Sequence, residues 1–147
     1  MTKKILLIAI INFILLLGSC KNYYISKDSF IKQFTDIDST KLRTVVVGGS
    51  MFGTATYKAN PINKIKCVDI KGRANELDNG PSIETRITIN NKKRVVFYFD
   101  RVIIIDSIVY GVQSRFLNIR TSIPLKDITK IEVQDGHKNF DYIRVDE

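Results

Sequence analysis

The stretch Ile83-Glu84-Thr85-Arg86-Ile87-Thr88-Ile89-Asn90-Asn91-Lys92 decides how the chain is read. Ile83, Thr85, Ile87 and Ile89 alternate strictly with Glu84, Arg86, Thr88 and Asn90. Side chains along a strand point to opposite faces with a period of two, so this pattern gives a strand with one face buried and one wet. Asn90-Asn91-Lys92 supplies the residues that tolerate a tight turn. Arg94 to Phe99 then returns as the second arm of a hairpin.

Working outward, the same grammar repeats. Downstream, Val102 to Ile105, the turn Asp106-Ser107, and Ile108 to Gln113 read as a second hairpin. The unbroken run Ile103-Ile104-Ile105 is expected to be buried on both sides. Ile119 to Ile123, a bend at Pro124 to Asp127, and Ile128 to Gln134 follow. Asp135-Gly136 is expected to be a hairpin turn into Asn139 to Val145. Upstream, Thr44 to Val47 ends at Gly48-Gly49, Thr54 to Tyr57 at Asn60-Pro61, and Ile65 to Ile70 at Lys71-Gly72. Arg73 to Pro81 is the longest turn-rich stretch and is expected to be a loop. Short β-branched runs with turn signals every eight to twelve residues predict a single small antiparallel β-barrel or β-sandwich. That domain spans residues 43–147. Before it, Ser26 can cap one short helix in which Phe30, Ile31 and Phe34 share a face.

The first twenty residues follow a different logic. Lys3 and Lys4 precede an apolar run from Ile5 to Leu17, broken only by Asn12. Thirteen residues are too few for a spanning helix, which needs about 20, and match the apolar core of a secretory signal. Leu17-Gly18-Ser19-Cys20 closes the run and resembles the lipobox of bacterial lipoproteins. The resemblance implies a signal peptide over residues 1–19, cleaved between Ser19 and Cys20. It also implies diacylglycerol on the Cys20 thiol, often with an acyl group on the new amine, so that membrane lipid held through Cys20 is the first partner. Residues 20–42 are then a lipidated tether carrying the short helix. Lys21 follows the cysteine where an inner-membrane retention signal would place Asp, which favours an outer-membrane lipoprotein facing the periplasm in a Gram-negative cell. Phe97 to Tyr142, and above all Ile123-Pro124-Leu125-Lys126-Asp127-Ile128 with Lys130-Ile131-Glu132-Val133, resembles the C-terminal part of small bacterial lipoproteins with no assigned activity.

The formal charge is +8 over 147 residues. Loss of Lys3 and Lys4 with the signal leaves 21 basic against 15 acidic residues, formally +6. A basic domain can bind nucleic acid, anionic lipid or acidic glycans, and export disfavours nucleic acid. The cations are scattered among apolar residues, as on solvated strand faces.

Chemistry is sparse. With Cys20 lipidated, Cys67 is the other cysteine and has no disulfide partner; beside Ile65 and Val68 it is expected to be buried and inert. His137 is the sole histidine, too little for a metal site or a cysteine nucleophile's base. Asp36, Asp38 and Thr40 have calcium-loop spacing, but Lys41 and Val47 stand where that loop needs glycine and glutamate. Gly48-Gly49-Ser50-Met51-Phe52-Gly53 lacks the Lys-Ser/Thr of a phosphate cradle. The carboxylate pairs Glu76 with Asp78 and Asp127 with Glu132 need a pocket to do acid–base work. Phe97, Tyr98, Phe99, Tyr110 and Phe116 are expected in the core, or lining an apolar ligand cavity if the sheet closes on itself. The sequence therefore predicts no cofactor, no metal and no catalytic residues. Three uses remain, in order: a structural or protein-interaction module, a barrel for a small apolar or lipid-like ligand, and an envelope hydrolase.

Overall fold

The computed structural model describes residues 21–49, 53–114 and 117–146. The segment expected to be a signal peptide, with Ser19, Cys20, Ser50 to Phe52 and Phe116, lies outside them. Among the described residues, twelve strands, one α-helix and three short 3-10 turns follow one another. They form an all-β, sandwich-like domain of antiparallel sheets with no closed barrel among the described residues.

The strands are β1 (Tyr23–Tyr24), β2 (Arg43–Gly49), β3 (Gly53–Ala59), β4 (Lys64–Val68), β5 (Ala74–Asp78), β6 (Ile83–Ile89), β7 (Lys93–Tyr98), β8 (Ile103–Ile105), β9 (Ile108–Val112), β10 (Arg120–Pro124), β11 (Ile128–Asp135) and β12 (Phe140–Asp146); helix α1 is Lys27–Gln33. The largest sheet has six strands in the order β5-β4-β1-β11-β6-β7. The others have three each, β10-β9-β8 and β12-β2-β3.

The deciding stretch folds as read. β6 and β7 form a hairpin in which Thr85 opposes Phe97 and Ile87 opposes Val95. Asn90 and Asn91 both take positive φ in its turn, a conformation Asn tolerates better than most residues. Ile83, Thr85 and Ile87 are buried, while Glu84, Arg86 and Thr88 are only partly covered. On the other side of β6, β11 pairs Ile131 with Ile87 and Val133 with Thr85, so the inward residues of three strands form one apolar row. Asp106 and Ser107 likewise turn β8 into β9 with positive φ.

Onto this face pack α1, the sheet β10-β9-β8 and the 3-10 turn Phe99–Arg101. Phe30, Phe34 and Phe99 meet with ring centroids 5.0 to 6.4 Å apart and fill the interior with Ile65, Ile123 and Val109. Each such side chain contributes about 1.5–3 kcal/mol by leaving water. Gly111 on β9 admits this packing, because a Cβ there would fall on the Phe97 ring. Ser26 caps α1 by accepting from the Ser29 N–H at 3.2 Å. Gln33 then clamps the helix to β4, donating to the Lys66 carbonyl at 3.0 Å and accepting from the Lys66 N–H at 2.7 Å.

Several expectations are corrected. Ile31 is 37% exposed: it sits one residue from Phe30 and so about 100° round the helix, off the face that Phe30 and Phe34 bury. Tyr23–Tyr24, expected as tether, joins the six-stranded sheet between β4 and β11. The loop expected over Arg73 to Pro81 contains β5, an edge strand with exposed Glu76 and Asp78, so its alternation is polar enough to read as turn. Ile70 belongs to the β4–β5 turn and is 80% exposed. Ile103-Ile104-Ile105 is a three-residue edge strand with no fully buried member. Asp135-Gly136 does not make a hairpin: β11 lies in the six-stranded sheet and β12 pairs with β2, so the chain changes sheets there.

Candidate functional site

Between β3 on one side and β9 and β10 on the other lies an open groove of about 1050 Å³, walled by the faces of the two smaller sheets. Its construction starts at Asn60, which is 1% exposed. The Asn60 amide donates to the carbonyls of Phe99 at 2.7 Å and Val102 at 3.1 Å, and its N–H donates to the Asp100 carbonyl at 2.7 Å. Its carbonyl oxygen accepts from the Ile62 N–H at 3.3 Å and the Asn79 amide at 3.1 Å. This clasp fixes the 3-10 turn Phe99–Arg101. With three residues per turn, consecutive side chains leave such a helix about 120° apart. Phe99 enters the apolar core, Asp100 enters a buried polar junction, and Arg101 reaches the groove.

At the junction, Tyr57 of β3 and Tyr142 of β12 both donate their hydroxyls to Asp100 Oδ2, at 2.5 and 2.9 Å. A fully buried carboxylate accepting two phenols ties the β12-β2-β3 sheet to the main core. The Tyr57 ring in turn lies under Arg101, whose Cζ stands 4.5 Å from the ring centroid. The π-face supports the flat guanidinium and holds it in the groove.

Arg101 does not stand alone there. Its Nη2 donates to Asn118 Oδ1 at 3.1 Å, and Nε of Arg120 donates to the same oxygen at 3.3 Å. Asn118 has positive φ, a conformation asparagine tolerates better than most residues. Two guanidiniums are thus gathered on one neutral amide oxygen. Lys58 also lines the groove, donating to Thr44 Oγ1 at 2.7 Å. Thr54, Thr56, Thr121 and Ser122 add hydroxyls, and Tyr110 presents a ring that is 41% exposed. None of the described residues lining the groove is acidic. Guanidinium stays protonated at any physiological pH, so the groove is cationic throughout that range.

The residues weighed for chemistry in the sequence, Tyr110 apart, lie elsewhere. Cys67 is buried in β4 with its thiol donating to the Asn75 carbonyl at 3.6 Å. Burial first, and Glu76 second, push that thiol up to about 11. It is a protonated core residue at neutral pH. His137 is an exposed turn residue 3.6 Å from Asp135. Asp38 caps a 3-10 turn by accepting from the Thr40 hydroxyl at 2.6 Å and N–H at 2.8 Å, the hydroxyl first and the N–H second also holding its carboxyl below the usual range. Asp78 pairs with Lys64 on the exposed edge, and Glu132, 5% exposed, pairs with Lys130 at 2.9 Å. Neither carboxylate pair lines the groove. No three of His, Cys, Asp and Glu among the described residues could hold a metal, and no described helix is long and apolar enough to cross a membrane.

Of the aromatics, Phe97 and Phe99 are fully buried and Tyr98 nearly so, while Tyr110 faces the groove. Asp100, Arg101, Asn118 and Arg120 went unremarked in the sequence, and Asn60 was read there only as a turn residue. The one signal that could have found them is Asp100-Arg101, two charges set between the apolar runs Val95 to Phe99 and Val102 to Ile105. No protein-family model matches this chain, and no curated protein or solved structure is significantly similar to it.

Proposed function

We propose that this chain is a lipoprotein of the cell envelope, cleaved between Ser19 and Cys20, held in the membrane by lipid on Cys20, and acting as a non-enzymatic interaction module. Its recognition surface is the groove, and its partner there is an acidic, hydroxyl-rich chain such as a carboxylated glycan. The cationic leader, the thirteen-residue apolar run and the Leu17-Gly18-Ser19-Cys20 motif support the tether. One observation carries the recognition reading: Arg101 and Arg120 converge on Asn118 Oδ1 in a groove whose described lining has no acid.

The chemistry follows from the geometry. A carboxylate offers two oxygens to the planar donors of a guanidinium, and two guanidiniums side by side can hold it from two directions. The threonine and serine hydroxyls suit a polyhydroxylated chain, and the exposed Tyr110 face suits the C–H side of a sugar ring. An open trough with walls of extended backbone accommodates a polymer running through it, while the filled core leaves its own aromatics packed against one another. Two or three acyl chains, at about 0.8 kcal/mol per buried methylene, hold such a module firmly at the bilayer.

Two measurements test the reading. Wild-type chain should incorporate labelled palmitate and begin at Cys20, and Cys20→Ser should take up none, since a hydroxyl is too poor a nucleophile for the transfer. Purified wild-type protein should bind polygalacturonate in a salt-dependent manner and not its methyl-esterified, uncharged form. Arg101→Gln with Arg120→Gln should weaken that binding at least tenfold while the circular dichroism spectrum stays β-rich. A folded double variant that binds as tightly as wild type refutes the groove. Binding of poly-glutamate without polygalacturonate moves the reading to a protein partner.

A further inference from the structure

We infer that the tip of the β4–β5 hairpin, Ile70 and Lys71, makes a second contact with the bilayer, on anionic phospholipid directly beside the lipid-bearing Cys20. The inference rests on the tether reading above and is independent of the groove. Its basis is where the mature chain begins. β1 runs antiparallel to β4 with Tyr24 opposite Val68. The pairing ends there: Lys21 and Asn22 lead into β1, and Ile70 and Lys71 form the turn that follows β4. A shallow depression of about 670 Å³, lined by Lys21, Asn22 and Tyr23 on one side and Asp69, Ile70 and Arg73 on the other, places the two segments side by side. Cys20 is the next residue back from Lys21, one Cα step of about 3.8 Å. Acyl chains on Cys20 must lie in the bilayer, which brings Lys21 to the headgroups and the hairpin tip with it.

The tip is built for such a surface. Ile70, at 80%, has the highest exposure of any large hydrophobic residue described. No packing need explains its presence in a turn. Its presentation is rigid: Asp69 Oδ1 accepts from the N–H groups of Lys71 at 2.8 Å and Arg73 at 2.9 Å, while Gly72 takes positive φ. The Asp69 charge is matched locally by the Arg73 guanidinium at 2.6 Å. Lys21 and Lys71 have no carboxylate partner among the described residues and remain to meet anionic headgroups. Each such charge near a bilayer surface is worth roughly a fivefold gain in partitioning. An apolar side chain near two cations, on a hydrogen-bonded turn beside the anchor, would fix the domain's orientation as well as its attachment.

The test uses the full lipidated chain reconstituted in phosphatidylethanolamine–phosphatidylglycerol vesicles. An environment-sensitive fluorophore is placed through Ile70→Cys, in a Cys67→Ser background, and as a control through Lys92→Cys in the β6–β7 turn at the far end of the sheet. Brominated lipids should quench the probe at position 70 at least threefold more than the one at 92. Lys71→Glu should cut that quenching at least twofold. Palmitate present with equal quenching at both positions overturns the contact and leaves the tether standing. Absence of palmitate from the wild type overturns both. Protection of position 70 from aqueous iodide without bromolipid quenching assigns the tip to a contact with a second copy of the chain and overturns the membrane contact.

Discussion

Replacing Asn60 with alanine should cost about 3 kcal/mol, a loss out of proportion to a residue that reads as an ordinary turn amide. The side chain is 1% exposed and makes four hydrogen bonds, as donor to the Phe99 and Val102 carbonyls and as acceptor from Ile62 and Asn79. Each such bond contributes about 0.5–1.5 kcal/mol net, and a buried carbonyl left without its donor costs about 1–3 kcal/mol. Partial relaxation of the turn offsets some of this, which brings the sum to about 3 kcal/mol. Asn60→Asp should be worse despite its shape, because it removes both donors and aims a carboxylate at two carbonyls. The assay is urea denaturation of the purified protein followed by tyrosine fluorescence and circular dichroism, with exposed Asn63→Ala as a control expected within about 0.5 kcal/mol of wild type. Because the clasp also aims Arg101, the residual folded Asn60→Ala protein should bind polygalacturonate more weakly. A loss below about 1 kcal/mol would refute the view that Asn60 organises the Phe99–Arg101 turn.

Three further outcomes follow from other parts of the fold. Ile87→Ala, at a fully buried position in the apolar row, should cost about 2–5 kcal/mol, while Ile70→Ala should stay within about 0.5 kcal/mol; equal losses in denaturant melts would contradict the register of β6. Folded protein should leave Cys67 unalkylated by iodoacetamide from pH 7 to 9, because its thiol is pushed up to about 11, and unfolding should expose it; rapid alkylation of the native state would contradict its burial. The Asp69 carboxyl is held below the usual range, chiefly by the Arg73 N–H, so the turn it caps gains stability above the ordinary carboxylate pKa. That gain is lost as pH falls through the depressed value. In an acid titration by NMR, the Lys71 and Arg73 amides should therefore move at a lower pH than those beside aspartate in an unstructured peptide; movement at the same pH would show that the cap does not form.

What the sequence disclosed and what it hid divide along a physical line. The β6–β7 and β8–β9 hairpins were legible because a period of two and local turn residues encode them, and both properties live within a dozen residues. The helix start at Ser26 was legible for the same reason. Pairings between distant segments were not. Nothing in Tyr23-Tyr24 says that it lies between β4 and β11, and nothing in Asp135-Gly136 says that the chain leaves one sheet there for another. β5 was hidden because an edge strand with one wet face and alternating Asn75, Leu77, Glu76 and Asp78 carries almost no apolar contrast.

The groove was hidden for a stronger reason than distance. Its cations reach it from three separate segments, Lys58 on β3, Arg101 on a 3-10 turn and Arg120 on β10. Along the sequence each looks like one more basic residue on a solvated face, and scattered charge carries no signal of convergence. Convergence is produced by neutral residues, Asn60 clasping the turn and Asn118 gathering the two guanidiniums. A neutral acceptor between two cations is a weak way to stabilise a fold. It offsets their mutual repulsion less than a carboxylate in place of Asn118 would. Such a carboxylate should therefore stabilise the free protein while abolishing anion binding. Asn118→Asp makes the comparison directly: a gain in melting temperature with loss of polygalacturonate affinity marks the cluster as a binding site, and loss of both marks Asn118 as structural.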